Sequence, residues 1–459
     1  MEKPSFVLLK QHFGGRSRGD WTRTSDPYVP NVVRYQLRYT PKLIWQAKLI
    51  KFCNLYVLIH CYSMTSHNRV YSVDIMRGLT LLLMLFVNDL NMQVAPLWLG
   101  HMEADFDGMG LADWVFPGFL FIVGMAIPFA FSKRFSQGQS LYDISRHIVT
   151  RSLSLIIIGV LMLNTGRVNP ELTGIGKNLW ALLMYIAVFL FWNDYPDKGK
   201  RILTITGFKL AALAIFILLV FKFRSGEPEN NGSLITGWWG ILGLIGWGYL
   251  VSAFAYVLCR DSILKTIVVA VFFLVLNMLS GWDLLGFLDP VKSLLGVIID
   301  GNVPLIVLTG LLGGLIIKKF PVPEHKTVIT VFISLGVFCL VSGFVLRNWF
   351  IISKIKATPS WGMVCCGISY LLFILIYWVV DVKGKKTWAA FLKPAGENSL
   401  TTYLAPDILY HLIWMSGVPV LFYKQSVEPL IVIAGSLLWA LLMVGLTAIL
   451  AQYKIRLKI

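Results

Sequence analysis

Read for the order of apolar and polar positions, the chain changes character near residue 64. Beyond it, apolar runs of about 16 to 24 residues, the length of a membrane-crossing helix or slightly less, follow one another. They lie at 75–97, 111–131, 148–164, 178–192, 203–221, 236–258, 264–281, 302–317, 327–346, 361–380, 398–416 and 428–451. Segments alternating with period two, which a membrane barrel needs, dominate nowhere. The pattern predicts an all-α, polytopic transmembrane helix bundle of about 10 to 12 spans across residues 64–459. Pro406 is expected to kink or interrupt the run at 398–416.

Basic residues orient the bundle. Lys133, Arg134 and Arg146, then Lys198, Lys200 and Arg201, Arg260 and Lys265, Lys318 and Lys319, Lys383 to Lys386, and the tail Lys454 to Lys458 fall on alternate loops. Both ends are then cytoplasmic, and the loop holding His101 faces outward. Lys222 with Arg224, and Lys354 with Lys356, fall on the outer side and run against this assignment.

The stretch from Ser72 to Met125 concentrates polar side chains between and within two apolar spans. At 100° per residue, Asp74, Arg77 and Asn88 project from one helical face together with Leu81 and Met84. A charge at membrane depth costs at least about 2.5 kcal/mol, so such residues normally face protein or a water-filled cavity. For Asp74 and Arg77 the helix start offers a simpler account, since an early Asp complements the dipole and Arg snorkels. Asn88 lies deeper. His101, in the loop between the spans and followed by Glu103, Asp105 and Asp107, is suited to move a proton near neutral pH, or is simply a solvated loop histidine. Asp113 opens the second span, where Gly118 and Gly124 leave room for a neighbouring helix. Further on, Asn398, Thr402 and Leu409 share a face, while Tyr403, Asp407 and Tyr410 form a polar-aromatic stripe; interhelical hydrogen bonding accounts for Asn398 as well as function does.

Composition supports the membrane class: 56% of residues are hydrophobic, 14% charged, and the mean hydropathy is +0.70. Residues 1–63 stand apart, with ten Lys or Arg against three acids out of a formal charge of +17 for the chain. They lack both apolar period and signal-peptide architecture. GDWTRTSDPYVPNVVRYQLRYTP resembles a reading frame across a transfer-RNA gene, so 1–63 is expected to be a disordered, non-native leader, with Met64 the natural start; a basic tail for a membrane surface or nucleic acid is the alternative. The cysteines Cys53, Cys61, Cys259, Cys339, Cys365 and Cys366 show no metal-ligand spacing, and neither a disulfide framework nor a bound metal is expected. No nucleotide-binding glycine motif or serine-hydrolase elbow stands at a strand-to-helix junction.

The blocks SVDIMRG at 72–78, MLFVN at 84–88, LADWVFPGFLFIVG at 111–124, RSxxLxxIG at 151–159, the WVVDVKG run ending at Gly384 and GENSLTTY at 396–403 resemble the heparan-α-glucosaminide N-acetyltransferase family, and more closely its bacterial branch within the transmembrane acyltransferases. The resemblance implies acetyl transfer from cytosolic acetyl-CoA, as co-substrate, to an amino sugar or glycan across a bacterial inner membrane. It places the catalytic centre at His101, with Asn88 and Asp113, and makes Asp74, Arg77, Arg151 and Asn398 structural or CoA-proximal. Lys133, Arg134, Arg146 and Arg151 are candidates for steering the anionic CoA, though the positive-inside bias also explains them. The expected partners are the lipid bilayer and a small-molecule or glycan acceptor, with no nucleic acid and a homodimer allowed. A transporter or flippase is the competing class, because broken helices and midplane polar residues serve either task; a non-catalytic assembly protein is the third.

Overall fold

The computed structural model describes residues 70–459, except 197–198, 200, 228–231 and 321–323. The expected leader 1–63, the start at Met64, Cys53, Cys61, Lys198 and Lys200 lie outside the described residues.

Among the described residues, twelve long helices follow the apolar runs: α1 Tyr71–Asp89, α2 Leu111–Ser136, α3 Leu141–Thr165, α4 Lys177–Trp192, α5 Ile202–Lys222, α6 Gly240–Cys259, α7 Ile263–Gly281, α8 Asn302–Lys319, α9 His325–Leu346, α10 Pro359–Tyr377, α11 Ser399–Ser416 and α12 Pro429–Gln452. Among the described residues, ten helices are long and apolar enough to cross a membrane; α4, with 16 residues, is shorter, and α11 is outside the ten. The first run overshoots, because α1 stops at Asp89 and the chain turns into the loop that carries His101. An eleven-residue helix, Asp289–Ile299, precedes α8 and joins it in one apolar segment. Pro406 does not interrupt α11, which runs through it to a left-handed Gly417. Pro117 and Pro128 likewise lie inside a continuous α2.

Local chemistry sets several helix starts. The Ser140 hydroxyl accepts from the Asp143 N–H at the head of α3, and Ser262 does the same for Lys265 at the head of α7. The start of α1 is capped from far along the chain: the Asp381 carboxylate accepts from the N–H groups of Tyr71 and Ser72, both at 3.0 Å. An anion at that end also complements the helix dipole.

The core is built on α2 and α8, which pack together most extensively along with the pair α9 and α10. Gly124 of α2 lies against the Val307 carbonyl, and Gly310 of α8 against the Phe121 carbonyl, so neither position accepts a Cβ without moving a backbone. Close backbone approach at small residues is how helices associate where lipid removes the hydrophobic drive. By contrast only 11% of the apolar window of α5 and 22% of that of α7 is buried within the protein. Their exposed Leu, Val and Phe faces meet the surroundings, as a bilayer requires.

Candidate functional site

The turn that starts α2 places Asp113 three residues after Gly110, where its Oδ2 accepts from the Gly110 N–H at 3.0 Å and from the Met102 N–H at 3.1 Å. A carboxylate in the first helical turn satisfies donors that have no intrahelical partner. This leaves Oδ1, 2.8 Å from Nδ1 of His101, in a residue only 1% exposed. The His101 side chain is 41% exposed. The Lys354 ammonium stands 3.0 Å from the same Nδ1 and 3.8 Å from Asp113 Oδ1. An ionised Asp113 can only accept, so with Nδ1–H donating to it the Lys354 ammonium, itself only a donor, stands beside the same atom as a charge and not as a hydrogen-bond partner of the ring. Nε2 then carries the free lone pair and is the basic atom.

Lys354 belongs to the loop between α9 and α10, which is stitched to the His101 loop. Asp107 accepts from Arg347 Nε and from the Ile352 N–H, both at 2.8 Å; Ser353 Oγ donates to the Ala104 carbonyl at 2.8 Å; Lys356 pairs with Asp105 at 2.6 Å. The Ile352 N–H, helped by Arg347, holds the Asp107 carboxyl below its usual range against partial burial, and Lys356 does so for Asp105. Burial pushes Lys354 below the ordinary lysine value, opposed by Asp113. Trp361 Nε1 donates to the Asp113 carbonyl at 3.3 Å, tying α10 to the same turn. Lys354 and Lys356, which opposed the topology in the sequence, are thus the counter-ions of Asp113 and Asp105. Sequence reading missed this pairing because Lys354 and His101 lie 253 residues apart, and Lys356 and Asp105 251.

At the other end of α1 and α2 lies a cavity of about 450 Å³, lined by Arg77, Arg134, His147, Arg151, Tyr403 and Lys458 at its polar end and by Leu81, Met84, Phe119 and Val123 deeper in. Arg77 is fixed by Asp74 at 3.5 Å and by the Gly396 carbonyl at 3.2 Å, where a side chain at 396 would strike the Asp74 carbonyl. Arg134 bonds His147 Nε2 at 2.9 Å. Arg151 lies over the Tyr249 ring at 4.9 Å, and its Nε is buried with no hydrogen-bond partner among the described residues. An orphaned buried donor beside other cations suits a bound anion.

The candidate residues therefore divide between two places. His101 and Asp113 meet directly. Arg77 and Arg151 line the cavity, and Asp74 braces Arg77. Asn398 lies between two lining residues, Glu397 and Ser399, but its amide donates back to the Pro394 carbonyl at 3.1 Å. The face shared by Arg77, Leu81 and Met84 does front the cavity; Asn88, at the far end of that face, is exposed, and among the described residues no hydrogen bond joins it to His101 or Asp113. Its neighbour Asp89 is the engaged residue. Asp89 is 1% exposed, accepts from the Tyr410 hydroxyl and from Tyr423 at 2.7 Å, and pairs with Lys424 at 2.6 Å. An acid closing an apolar span was the available signal. Among the described residues, no group of three or more His, Cys, Asp or Glu is placed to hold a metal ion.

These features define an integral membrane protein of the polytopic helix-bundle class, with a histidine–carboxylate pair at one end and a cation-lined cavity at the other. The family described as "Domain of unknown function (DUF5009)" matches residues 69–237. Heparan-alpha-glucosaminide N-acetyltransferase of Mus musculus is 27% identical over 384 residues, covering 75% of this chain and 54% of its own length. The Homo sapiens protein of the same name is 36% identical over 96 residues, which is 21% of this chain and 14% of that protein. The chain is related to the heparan-α-glucosaminide N-acetyltransferase family, and it spans about half the length of the mouse relative.

Proposed function

We propose that the protein is a membrane acyltransferase that moves the acetyl group of acetyl-CoA onto an amino sugar or glycan. The observation that carries this reading is one helix, α2, with a cation-lined cavity at one end and a buried carboxylate orienting an exposed imidazole at the other. Arg77, Arg134, Arg151 and Lys458 suit the phosphates of CoA, and the apolar interior between α1 and α2 suits its arm. Phe119, among the deeper lining residues, is six positions from Asp113, about 9 Å along the helix axis. By the positive-inside rule the cavity end is cytosolic and the His101 end faces outward, and the resemblance implies a bacterial inner membrane.

In this reading the acceptor amine or hydroxyl attacks the thioester carbon as Nε2 of His101 takes its proton. The C–S bond breaks, and the proton passes from Nε2 to the departing thiolate to give free CoA. Asp113 holds the ring in the tautomer that leaves Nε2 free, and it stabilises the transient imidazolium. Asn88, exposed at the outer end of α1, is the proposed donor to the developing oxyanion. Asp74 and Asn398 shape the CoA-proximal end.

The test is incubation of purified protein with radiolabelled acetyl-CoA and a panel of amino sugars, with and without His101→Ala. Label transferred to a sugar and lost in the variant supports the reading. Folded native protein that neither releases CoA nor labels any acceptor overturns it in favour of transport.

A further inference from the structure

The pairing of His101 with Asp113 raises a difficulty that the neighbouring loop resolves. A buried carboxylate 2.8 Å from an imidazole favours the charged ring. A ring already protonated cannot accept the acceptor's proton, so general-base chemistry near neutral pH depends also on which other charges stand against the pair.

The charged and titratable groups around the ring come from three elements. From α2 there is Asp113. From the loop after α9 come Lys354 at 3.0 Å, Lys356 and Arg347; the last two are taken up by Asp105 and Asp107. The ring's own loop contributes Glu103 as well as those two acids. From α10, the buried Cys365 thiol lies beside Lys354 and Asp113. Lys354 is therefore the cation placed against both members of the pair, and it is held there, since its ammonium also donates to the Ala112 carbonyl at 3.4 Å.

We infer that Lys354 is a positioning residue whose ammonium offsets the charge of Asp113 where both face the His101 ring. The inference deepens the acyltransferase reading and rests on it for its purpose. The electrostatic arrangement itself is testable without turnover. Two unit charges 3.0 Å apart alter each other's proton affinity by about tenfold even at the dielectric constant of water, and by more in a partly buried site.

The experiment measures the rate at which diethyl pyrocarbonate, which reacts with neutral imidazole, modifies His101 as pH is varied. The full chain is used in detergent, with the modified peptide resolved by mass spectrometry. In Lys354→Met the midpoint of the His101 titration is expected to move up by at least about one pH unit, the tenfold just derived. Lys354→Arg, which keeps the charge, should leave it near the native value. Lys354→Gln serves in place of Met if that variant aggregates. Where transfer is detected, the acid limb of the pH profile of kcat/KM should move with the same midpoint, a change that a purely structural role for Lys354 would not produce. An unmoved or lowered midpoint in the neutral variants overturns the inference even if acetyl transfer is intact. A raised midpoint in a protein without transfer activity upholds the charge balance and sinks the acyltransferase reading instead.

Discussion

Asp113→Asn removes the charge of the buried carboxylate while keeping its shape, and the local hydrogen bonds dictate the outcome. The N–H groups of Met102 and Gly110 both require an acceptor on the side chain, at 3.1 and 3.0 Å, so the amide oxygen turns toward them. The amide NH2 then faces His101 Nδ1, at the position where Oδ1 lies 2.8 Å away in the native protein. Nδ1 must become the acceptor, the ring proton moves to Nε2, and the base is lost. General-base assistance is worth about 10²- to 10⁴-fold, or about 3 to 5 kcal/mol of barrier. Acetyl transfer, followed as kcat and as KM for acetyl-CoA, should lose kcat by that factor. KM should change little, because Phe119 of the cavity is about 9 Å along α2 from the substituted residue. A variant that folds and retains kcat within threefold of native refutes the assigned tautomer and role.

Three further outcomes follow from the geometry. Arg151→Ala should raise KM for acetyl-CoA by about 10- to 100-fold, the worth of one hydrogen bond to a charged group, with a smaller effect on kcat; steady-state kinetics at fixed ionic strength read this directly. Gly310→Leu drives a side chain into the Phe121 carbonyl at the α2–α8 crossing and should cost more than the roughly 1 to 3 kcal/mol of ordinary overpacking, seen as a lower melting temperature in detergent or failure to fold, whereas Gly445→Leu, with nothing within 4 Å, should be tolerated. The Asp107 carboxyl has a folded value lower than its unfolded one, so the stability it lends the paired loops is present above the ordinary carboxylate range and is lost as pH falls through the lowered value. Amide exchange of residues 101–110 and 347–358 should therefore differ between native protein and Asp107→Asn at neutral pH and converge only once the pH has fallen below the ordinary carboxylate range.

The sequence disclosed the bundle almost helix by helix, because a membrane allows few alternatives to a long apolar helix and its ends show as changes of polarity. It placed Arg77, Leu81 and Met84 on one face, and that face fronts the cavity. Asp113 came forward within a motif block and His101 from its loop and from what the resemblance implies, and their side chains meet. Legibility ended where a pairing joins distant loops. Nothing periodic connects Lys354 to His101 or Asp381 to the start of α1, so the first read as a misplaced charge and the second only as part of a motif. Asn88 and Asp89 show the resolution limit within a helix: neighbouring positions point about 100° apart, and one is exposed while the other is buried among two tyrosines and a lysine. Pro406, expected to kink or interrupt α11, does not interrupt it, because the helix continues on both sides of the missing N–H.

The glycine crossing that locks α2 to α8 also makes α2 a gauge. Arg134 and Asp113 lie 21 residues apart on it, about 31 Å, and backbone set against backbone at Gly124 and Gly310 leaves that separation no slack. Under the proposed chemistry a donor must be anchored by its anionic end and still present its thioester near the imidazole, so its own length becomes the criterion of selection. A truncated thioester that carries the same acetyl group without the nucleotide anchor should fail as a donor although its reacting bond is identical.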